Sequence, residues 1–321
     1  SNPNAPPSIN GTLDITSVNI EENGDRQPVN YILPPGITRM TDPSQPQLRQ
    51  QNEQALSMKV TNLGSQDARA IYKKTNYDMR RYKRLQLFVH AEKFINDVTS
   101  LNNGELSVFL RLGSDYKNNY YEYEIPLKLT APKSNYDMYL PQDQRLVWPI
   151  ENMLDIPLHL LTSVKKQRNK ARGAGGASFN RVFSVYDTDH PANKVSIMGN
   201  PTLGEVKTMI IGVRNLSSSQ KSGEVWVNEL RLKEFNNEGG WAARGQLNVQ
   251  LSDFGSVDIN ASHSTDGFGG LEQGVNERQQ ETKTDVSVTT SLELGKLFPD
   301  KAKVSAPLYY SITKSESRPK Y

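Results

Sequence analysis

Cysteine is absent from this chain of 321 residues. A disulfide framework and a thiolate metal site are therefore excluded. A charge excess is absent as well, since 38 Lys and Arg stand against 35 Asp and Glu. Dedicated nucleic-acid binders usually carry a strong basic excess, so we expect no nucleic-acid partner. No run of about 18 apolar residues occurs, and no transmembrane helix is predicted.

The motifs of common enzyme classes are also missing. The chain contains no nucleophile elbow, no HExxH zinc motif and no paired carboxylates. Its four histidines are scattered, and His90 and His159 are interpreted as structural. The glycine-rich stretch RGAGGAS (172–178) follows a helix candidate and lacks the GK[ST] ending of a phosphate loop. We therefore expect neither an enzyme nor a bound cofactor.

The first 55 residues are rich in proline and poor in apolar side chains. The chain begins SNPNAPPSIN, without Met or a signal-peptide pattern, so we expect a fragment of a longer protein or a processed chain. Proline lacks the backbone N–H, which prevents a continuous strand ladder here. We predict a linker or arm over residues 1–55, in which NYILPPGITRM (30–40) is an edge strand or an ordered arm.

Short β-forming runs separated by turn residues fill residues 56–237. Many short strands at this spacing are typical of a β-sandwich. The runs occupy 57–63, 84–91, 104–113, 119–129, 181–187, 194–199, 204–215 and 223–235. One helix is predicted over 151–170, with Pro157 in its first turn, where proline is tolerated.

The stretch GEVWVNELRL (223–232) closes this region as a well-formed strand. Val225 and Val227 would face one side of it, and Trp226 the other. Beyond Gly240 the alternation becomes strict. We predict four antiparallel strands over 238–321, each of roughly ten residues and joined by a short turn, a long loop and a short turn.

These four strands allow two interpretations. One is an ordinary sheet with one face packed on the sandwich. The other is part of an outer-membrane barrel, in which spans of about 9–11 residues place apolar side chains against lipid and polar ones against the lumen. Four strands cannot close a barrel, so the remaining strands would lie elsewhere in the parent chain. The lipid-facing candidates are Trp241, Leu247, Val249, Leu251, Val257, Ile259, Val286, Val288, Leu292, Leu294, Val304, Leu308 and Tyr310.

Two further clusters are candidate sites. Tyr120, Tyr121 and Tyr123 are candidates for a protein-docking or glycan-stacking face, with strand packing as the structural alternative. Asp187 and Asp189 supply oxygens at alternate positions that could hold Ca²⁺, with a polar turn as the structural alternative. Nothing else in the sequence supplies the number of ligands that a calcium site needs.

The junction between the two regions carries a family resemblance. The stretch GEVWVNELRLKEFNNEGGWAARGQLNVQLSDFGSVDINAS (223–262) resembles the SprA/Sov family, the giant outer-membrane translocons of type IX secretion and gliding motility. The resemblance covers roughly residues 55–321 and includes no catalytic motif. It implies that VWVNELRL is the last strand of a soluble insertion, and that the chain enters the membrane after Glu238.

The resemblance also implies a function and partners. The family serves as a protein-conducting conduit in the bacterial outer membrane. The implied partners are secreted cargo proteins with C-terminal sorting domains, the shuttle and plug proteins of the same system, and membrane lipids. The sandwich would lie in the periplasm or at the cell surface.

Together these observations predict an all-β chain with three parts. Residues 1–55 form a linker or arm, and residues 56–237 form a jelly-roll-like (galactose-binding-like) β-sandwich insertion with one helix. Residues 238–321 form antiparallel strands of an outer-membrane β-barrel. The alternative function is a soluble carbohydrate- or peptide-binding module of a cell-surface protein, in which the last 80 or so residues add a second sheet.

Overall fold

A computed structural model describes residues 11–37, 39, 53–133, 135–228, 230–235, 239–269 and 278–319. The chain is all-β with antiparallel sheets, as the sequence predicts. It divides into two compact units, Ser1–Phe235 and Asn236–Tyr321. The division falls at the change in sequence texture that follows GEVWVNELRL.

The first unit contains thirteen strands and three helices within its described residues. The strands are β1 (Thr12–Asn19), β2 (Gln54–Leu63), β3 (Ala68–Tyr77), β4 (Tyr82–Leu87), β5 (Val89–Glu92), β6 (Leu106–Gly113), β7 (Tyr120–Pro126), β8 (Leu154–Pro157), β9 (Phe183–Tyr186), β10 (Lys194–Met198), β11 (Val206–Asn215), β12 (Lys221–Val227) and β13 (Arg231–Phe235). The helices are α1 (Ile20–Asn23), α2 (Pro141–Val147) and α3 (Leu158–Gly173).

Three sheets organise this unit. The front sheet has the order β1-β2-β12-β5, the back sheet β3-β11-β6-β7-β10-β9 and the side sheet β13-β4-β8. Met58 and Val225 of the front sheet share one core with Leu110 and Tyr121 of the back sheet. Leu161 on α3 belongs to the same core. The two large sheets thus form a sandwich whose interior consists of the inward residues of alternating strands.

The front sheet is covered on its other face too. Trp226 points away from the main core and packs with Tyr31 and Trp148 in a second buried cluster. Tyr31 comes from the proline-rich N-terminal segment of residues 11–37, which we call the lead-in. Trp148 directly follows α2. A strand buried on both faces reads as a continuous run of buried residues, and all seven residues of β12 are buried.

Residues 11–37 of the predicted arm therefore belong to the sandwich. β1 pairs with β2 as the edge strand of the front sheet, from Thr12↔Thr61 to Asn19↔Gln54. In the later segment NYILPP (30–35) the first five residues are buried, and the segment forms no strand. The edge-strand alternative for it is wrong, because its prolines cannot donate to a ladder. The role of residues 11–37 is not visible in the sequence, because these residues cover Trp226, which is distant in the chain.

The predicted strand VWVNELRL is interrupted at Asn228. β12 pairs with β5 in the front sheet, whereas β13 pairs with β4 in the side sheet. The segment that pairs with β12 and β13 is also interrupted, because Phe88 separates β4 from β5. The Asn228 N–H donates to the Phe88 carbonyl over 3.0 Å. Both strands change sheets together, so their hydrogen bonding continues through the bend. Strand propensity does not reveal such a bend.

The helix prediction was right for the C-terminal part and wrong at the start. α3 begins at Leu158, with Pro157 as its N-terminal cap residue. The preceding residues form a 3-10 turn (Ile150–Asn152) and then β8. Leu154 and Ile156 are buried in β8, which pairs with β4, so tertiary pairing overrides the helical pattern there.

The second unit is one antiparallel sheet in sequence order. Its strands are β14 (Ala242–Leu251), β15 (Gly255–Ser264), β16 (Glu281–Glu293) and β17 (Pro307–Pro319). The first turn is short, as predicted. The connection between β16 and β17 runs from Leu294 to Ala306 and contains two 3-10 turns, so the expectation of a second short turn was wrong. The Glu293 carboxylate accepts the Ala306 N–H over 2.6 Å and supports this longer connection.

Candidate functional site

The sheet β14–β17 aligns its apolar residues in rows across all four strands. In one row Leu247 faces Ile259, Ile259 faces Val288, and Val288 faces Ile312. The next row includes Val249, Val257 and Tyr310, and the following one includes Leu251, Leu292 and Leu308. Because side chains alternate between faces with a period of two, these rows share one face of the sheet.

The opposite face is mostly polar, with exceptions that include Ala242, Pro307 and Tyr309. Asn248 faces Asp258, which faces Thr289, which faces Ser311. The side chains of Thr289 and Ser311 are hydrogen bonded over 3.2 Å, and Asn248 donates to Asp258. This face carries the hydrogen-bonding side chains that a water-filled space requires.

Both faces of this sheet are exposed. Leu247 is 54% exposed, Ile312 52% and Tyr310 55%. Among the described residues of the second unit, only Gly295 is buried. Within the second unit itself no described residue covers the apolar face, whereas an antiparallel sheet with one apolar face needs a cover for it. Apolar rows left open in this way indicate a surface for an apolar medium or partner.

The ends of the apolar face are marked by aromatic and charged residues. Trp241, just before β14, lies with its ring 5.0 Å from that of His263 and is 57% exposed. At that end of β17 the apolar face continues into Lys314 and Glu316, which face Val286 and Thr284. Aromatic and charged residues of this kind mark membrane interfaces.

Three of the thirteen lipid-facing candidates lie outside the strands, Trp241 directly before β14 and two in the connection after β16. Leu294 begins a 3-10 turn, and Val304 lies in the connection before β17, 45% exposed. Their assignment to strand positions was wrong because the connection is longer than the sequence suggested. The same connection also carries the exposed side chains of Leu297 and Phe298.

The three candidate tyrosines are core residues. Tyr120, Tyr121 and Tyr123 are each 2% exposed or less. The Tyr121 hydroxyl donates to the Pro201 carbonyl over 3.1 Å, and burial raises the pKa of the Tyr121 and Tyr123 hydroxyls. Tyr120 faces the other way and lies beneath the Arg111 guanidinium at 3.8 Å. They offer no docking or stacking face, and the glycan-binding alternative loses the residues on which it relied.

The Asp187 carboxylate is already bonded to protein donors. Its Oδ2 accepts the Tyr123 hydroxyl over 2.7 Å, and its Oδ1 accepts the Asp189 N–H over 3.0 Å. Burial alone would raise the pKa of Asp187, but these hydrogen bonds and His190 hold it below its ordinary value. In the described part of the chain no three His, Asp or Glu residues come together as metal ligands. The arrangement is a polar turn that caps a core tyrosine.

The comparison with known protein families now decides the family. A family model, SprA_N, described as a motility related/secretion protein, matches residues 4–321. The chain belongs to this family. No curated protein matches the chain. Within the residues that the structure describes, no helix is long and apolar enough to cross a membrane.

Membership of the SprA_N family confirms the resemblance seen at the junction. The match extends further than expected, because it begins at residue 4 and includes the proline-rich lead-in. The structure gives a physical reason, since residues 11–37 complete the second buried cluster of the sandwich. The chain is therefore a protein of motility and secretion whose matched region includes both units.

A buried ionic cluster, which no sequence motif indicates, lies around Arg26. The Arg26 guanidinium contacts the Glu92 carboxylate over 2.6 Å and the Glu224 carboxylate over 2.5 Å, and both acids are 1% exposed. Glu224 also accepts the Trp226 indole N–H over 2.8 Å. His90, fully buried, stacks on Trp226 at 3.9 Å. The single signal in the sequence was the position of Glu224 within an apolar strand.

A second network crosses the outer face of the back sheet. Arg111 binds Glu122 through two nitrogens at 2.9 and 2.6 Å, and Arg214 joins Glu122 to Glu124. Lys194 contacts Glu124 over 2.6 Å. These residues lie on four neighbouring strands, so only the strand order brings them together. On that face paired charges, and not apolar side chains, connect the neighbouring strands.

The network predicts acid sensitivity of the SprA_N sandwich. Burial by itself would raise the pKa of Glu124, but Arg214 and Lys194 hold it below its ordinary value of 4.5. A lowered folded-state pKa stabilises above the unfolded pKa, and that contribution is lost as the pH falls through the folded pKa. Glu124→Gln is expected to cost about 3 kcal/mol at pH 7. The difference in free energy of unfolding between wild type and Glu124→Gln should become smaller as the pH falls below 4.5, the ordinary pKa of a glutamate.

Urea denaturation of the wild type and of Glu124→Gln, repeated from neutral to acidic pH, tests this expectation. The control is Glu205→Gln, which removes an exposed partner of Lys207. That variant is expected to cost less than about 1 kcal/mol. A constant difference between wild type and Glu124→Gln at every pH would show that ionisation of Glu124 does not contribute.

Proposed function

We propose that this chain is part of the protein-conducting channel of type IX secretion in the bacterial outer membrane. Its second unit contributes four strands to the barrel wall, and its first unit is a soluble insertion domain. The chain performs no bond chemistry, and transport depends on steric and electrostatic properties of a polar passage. Membership of a motility and secretion family supports the setting.

The observation that carries the proposal is the two-sided exposure of β14–β17. One face bears rows such as Leu247–Ile259–Val288–Ile312, and the other bears rows such as Asn248–Asp258–Thr289–Ser311. The strands are 10, 10, 13 and 13 residues long, which is enough to span an outer membrane at the usual tilt of about 45°. In water the apolar rows would be a liability; against lipid they are the required surface.

The edges of this sheet support the same proposal. β14 and β17 each pair on one side among the described strands. An open strand edge is not tolerated in lipid, because its N–H and C=O groups would have no partners. In the proposed barrel these two edges pair with strands from the rest of the parent chain. The four strands described here cannot close a barrel by themselves.

The proposed partners follow from this role. Secreted cargo proteins with C-terminal sorting domains would pass the polar face, and shuttle and plug proteins of the same system would bind near the passage. Membrane lipids would cover the apolar face. No nucleic-acid partner is proposed, because the charges are balanced at 38 basic and 35 acidic residues.

The chain lacks cysteine, so single cysteines can test the proposal directly. We would place Leu247→Cys and Gln246→Cys separately in the parent protein in outer membranes, with any cysteine outside these 321 residues replaced by serine, and attach a small fluorophore to each. The probe at position 247 is expected to be quenched by lipids with brominated chains, and the probe at 246 by aqueous iodide. Adjacent positions on opposite faces serve as matched controls. Equal aqueous quenching at both positions would refute the membrane assignment.

A further inference from the structure

The back sheet has a long edge strand, β3, in the described part of the first unit. β3 (Ala68–Tyr77) is ten residues long and pairs with β11 on one side. On its other side no strand pairs with it in the described part of the chain. A long edge strand offers a row of backbone N–H and C=O groups to which another strand can be added.

An apolar cleft opens between the two sheets beside this edge. Its volume is about 340 Å³. Ile71 and Met209 line it from the back sheet, Leu56 from the front sheet, and Leu230 from the chain just before β13. These side chains are only partly buried although they pack against the main core. The cleft has room for side chains that the described residues of the first unit do not supply, and its apolar walls resemble those of binding sites.

The charges on β3 favour an acidic partner. The strand reads ARAIYKKTNY and contains no acidic residue. Lys73 lines the cleft, and Lys74 projects from the opposite face of the strand. In the described part of the chain neither lysine has an ion-pair partner, unlike Arg69, which contacts Asp67 over 2.8 Å. Two unpaired cations on one free edge provide charge complementarity for carboxylates.

Exposed tyrosines surround the same edge. Tyr72 is 67% exposed and stacks at 6.5 Å on Tyr116, which is 49% exposed. Tyr77, at the end of β3, is 45% exposed. Tyrosines are enriched among the residues that dominate binding energy at protein interfaces. These are the exposed counterparts of the buried tyrosines that the sequence analysis selected.

We propose that the β3 edge is the docking site for an extended acidic segment of another polypeptide. The segment adds to the back sheet as a further strand. Its apolar residues enter the cleft beside Ile71, and its carboxylates lie near Lys73 and Lys74. Backbone pairing supplies affinity, while the cleft and the lysines select an alternating acidic and apolar sequence. The site belongs to the first unit alone and does not depend on the membrane assignment of β14–β17.

The probe for this site is a fluorescein-labelled ten-residue peptide that alternates glutamate with valine. Its binding to the full chain in detergent is measured by fluorescence anisotropy. A lysine–valine peptide and a glutamate–valine peptide interrupted by a central proline are the controls, since proline cannot complete a strand ladder. Saturable binding of the first peptide alone is expected. Absence of saturable binding below about 1 mM would overturn the proposal.

Two charge-reversal variants locate the binding. The double variant Lys73→Glu/Lys74→Glu is expected to weaken binding about tenfold, because attraction is replaced by repulsion. Lys166→Glu/Lys170→Glu makes the same change in net charge on exposed positions of α3 and is expected to leave binding within about twofold. Equal weakening by both variants would mean non-specific attraction and would overturn the proposal.

Two other occupants are distinguished in the same assay. Binding of dodecanoate to the cleft without binding of the peptide would identify a lipid site and refute the proposal. Concentration-dependent dimerisation that is lost in Lys73→Glu/Lys74→Glu would identify a second copy of the chain as the occupant, with the same consequence. Filling the cleft by Met209→Trp is expected to weaken peptide binding while circular dichroism shows the fold retained. Membrane quenching at position 247 should be unchanged in all these variants.

Discussion

Replacing Arg26 with methionine is expected to lower the free energy of unfolding of the first unit by about 3–5 kcal/mol. Arg26 is the cation that joins Glu92 and Glu224, whose side chains are each 1% exposed. Methionine keeps much of the side-chain length and removes the charge. Two buried carboxylates then lose their main partner, and an uncompensated buried charge is far more costly than a missing surface contact.

The expected loss is large because Arg26 connects distant parts of the chain. The residue lies in the lead-in, Glu92 ends β5 and Glu224 lies in β12. The Arg26 guanidinium also lies 5.0 Å from the centre of the Trp226 ring, so the change removes a cation–π contact as well. Without these contacts, residues 11–37 should detach more easily from the sandwich, which would expose the second buried cluster.

Urea denaturation monitored by tryptophan fluorescence measures the effect. A Trp241→Phe background leaves Trp148 and Trp226, both of which lie in the second cluster. The matched control is Lys128→Met, which breaks an exposed pair with Glu151 and is expected to cost less than about 1 kcal/mol.

Adding Glu92→Gln and Glu224→Gln to Arg26→Met should recover part of the loss, because the amides carry no charge. If Arg26→Met and Lys128→Met were equally stable, the ionic cluster would not hold the lead-in against the sandwich. A loss that neither glutamine substitution relieves would point to packing around the Arg26 side chain in place of charge.

Ile259→Arg is expected to prevent stable assembly of the second unit in the outer membrane. Ile259 lies in a central row of the apolar face, between Leu247 and Val288. An arginine on the lipid face near the middle of a barrel strand costs about 2–4 kcal/mol. The neighbouring change Asn260→Arg points to the polar face and should cost less than about 1 kcal/mol.

We would measure how much of each variant of the parent protein is present in outer-membrane fractions. We would also measure how much of it resists extraction with urea. A several-fold loss for Ile259→Arg with near-normal Asn260→Arg is the expected result, since changes of this size in stability alter abundance several-fold. Equal assembly of both variants would show that the apolar face does not contact lipid, and the channel proposal would then fail.

The sequence by itself determined the division of the chain and the nature of its second part. Alternation with a period of two is a local property, so the rows of β14–β17 could be predicted from Leu247, Val257 and Val288 without knowledge of any distant contact. The junction after GEVWVNELRL was visible for the same reason. The family resemblance was also readable there, and the match to residues 4–321 extended it into the lead-in.

Only the tertiary structure decided which side chains are covered. Tyr121 and Tyr72 look alike in sequence, yet one is 2% exposed and the other 67%, because the order of strands places one in the core and the other at an edge. Arg26 meets Glu92 and Glu224 across long separations in the chain. Burial and charge pairing depend on contacts between distant segments, and no local pattern carries that information.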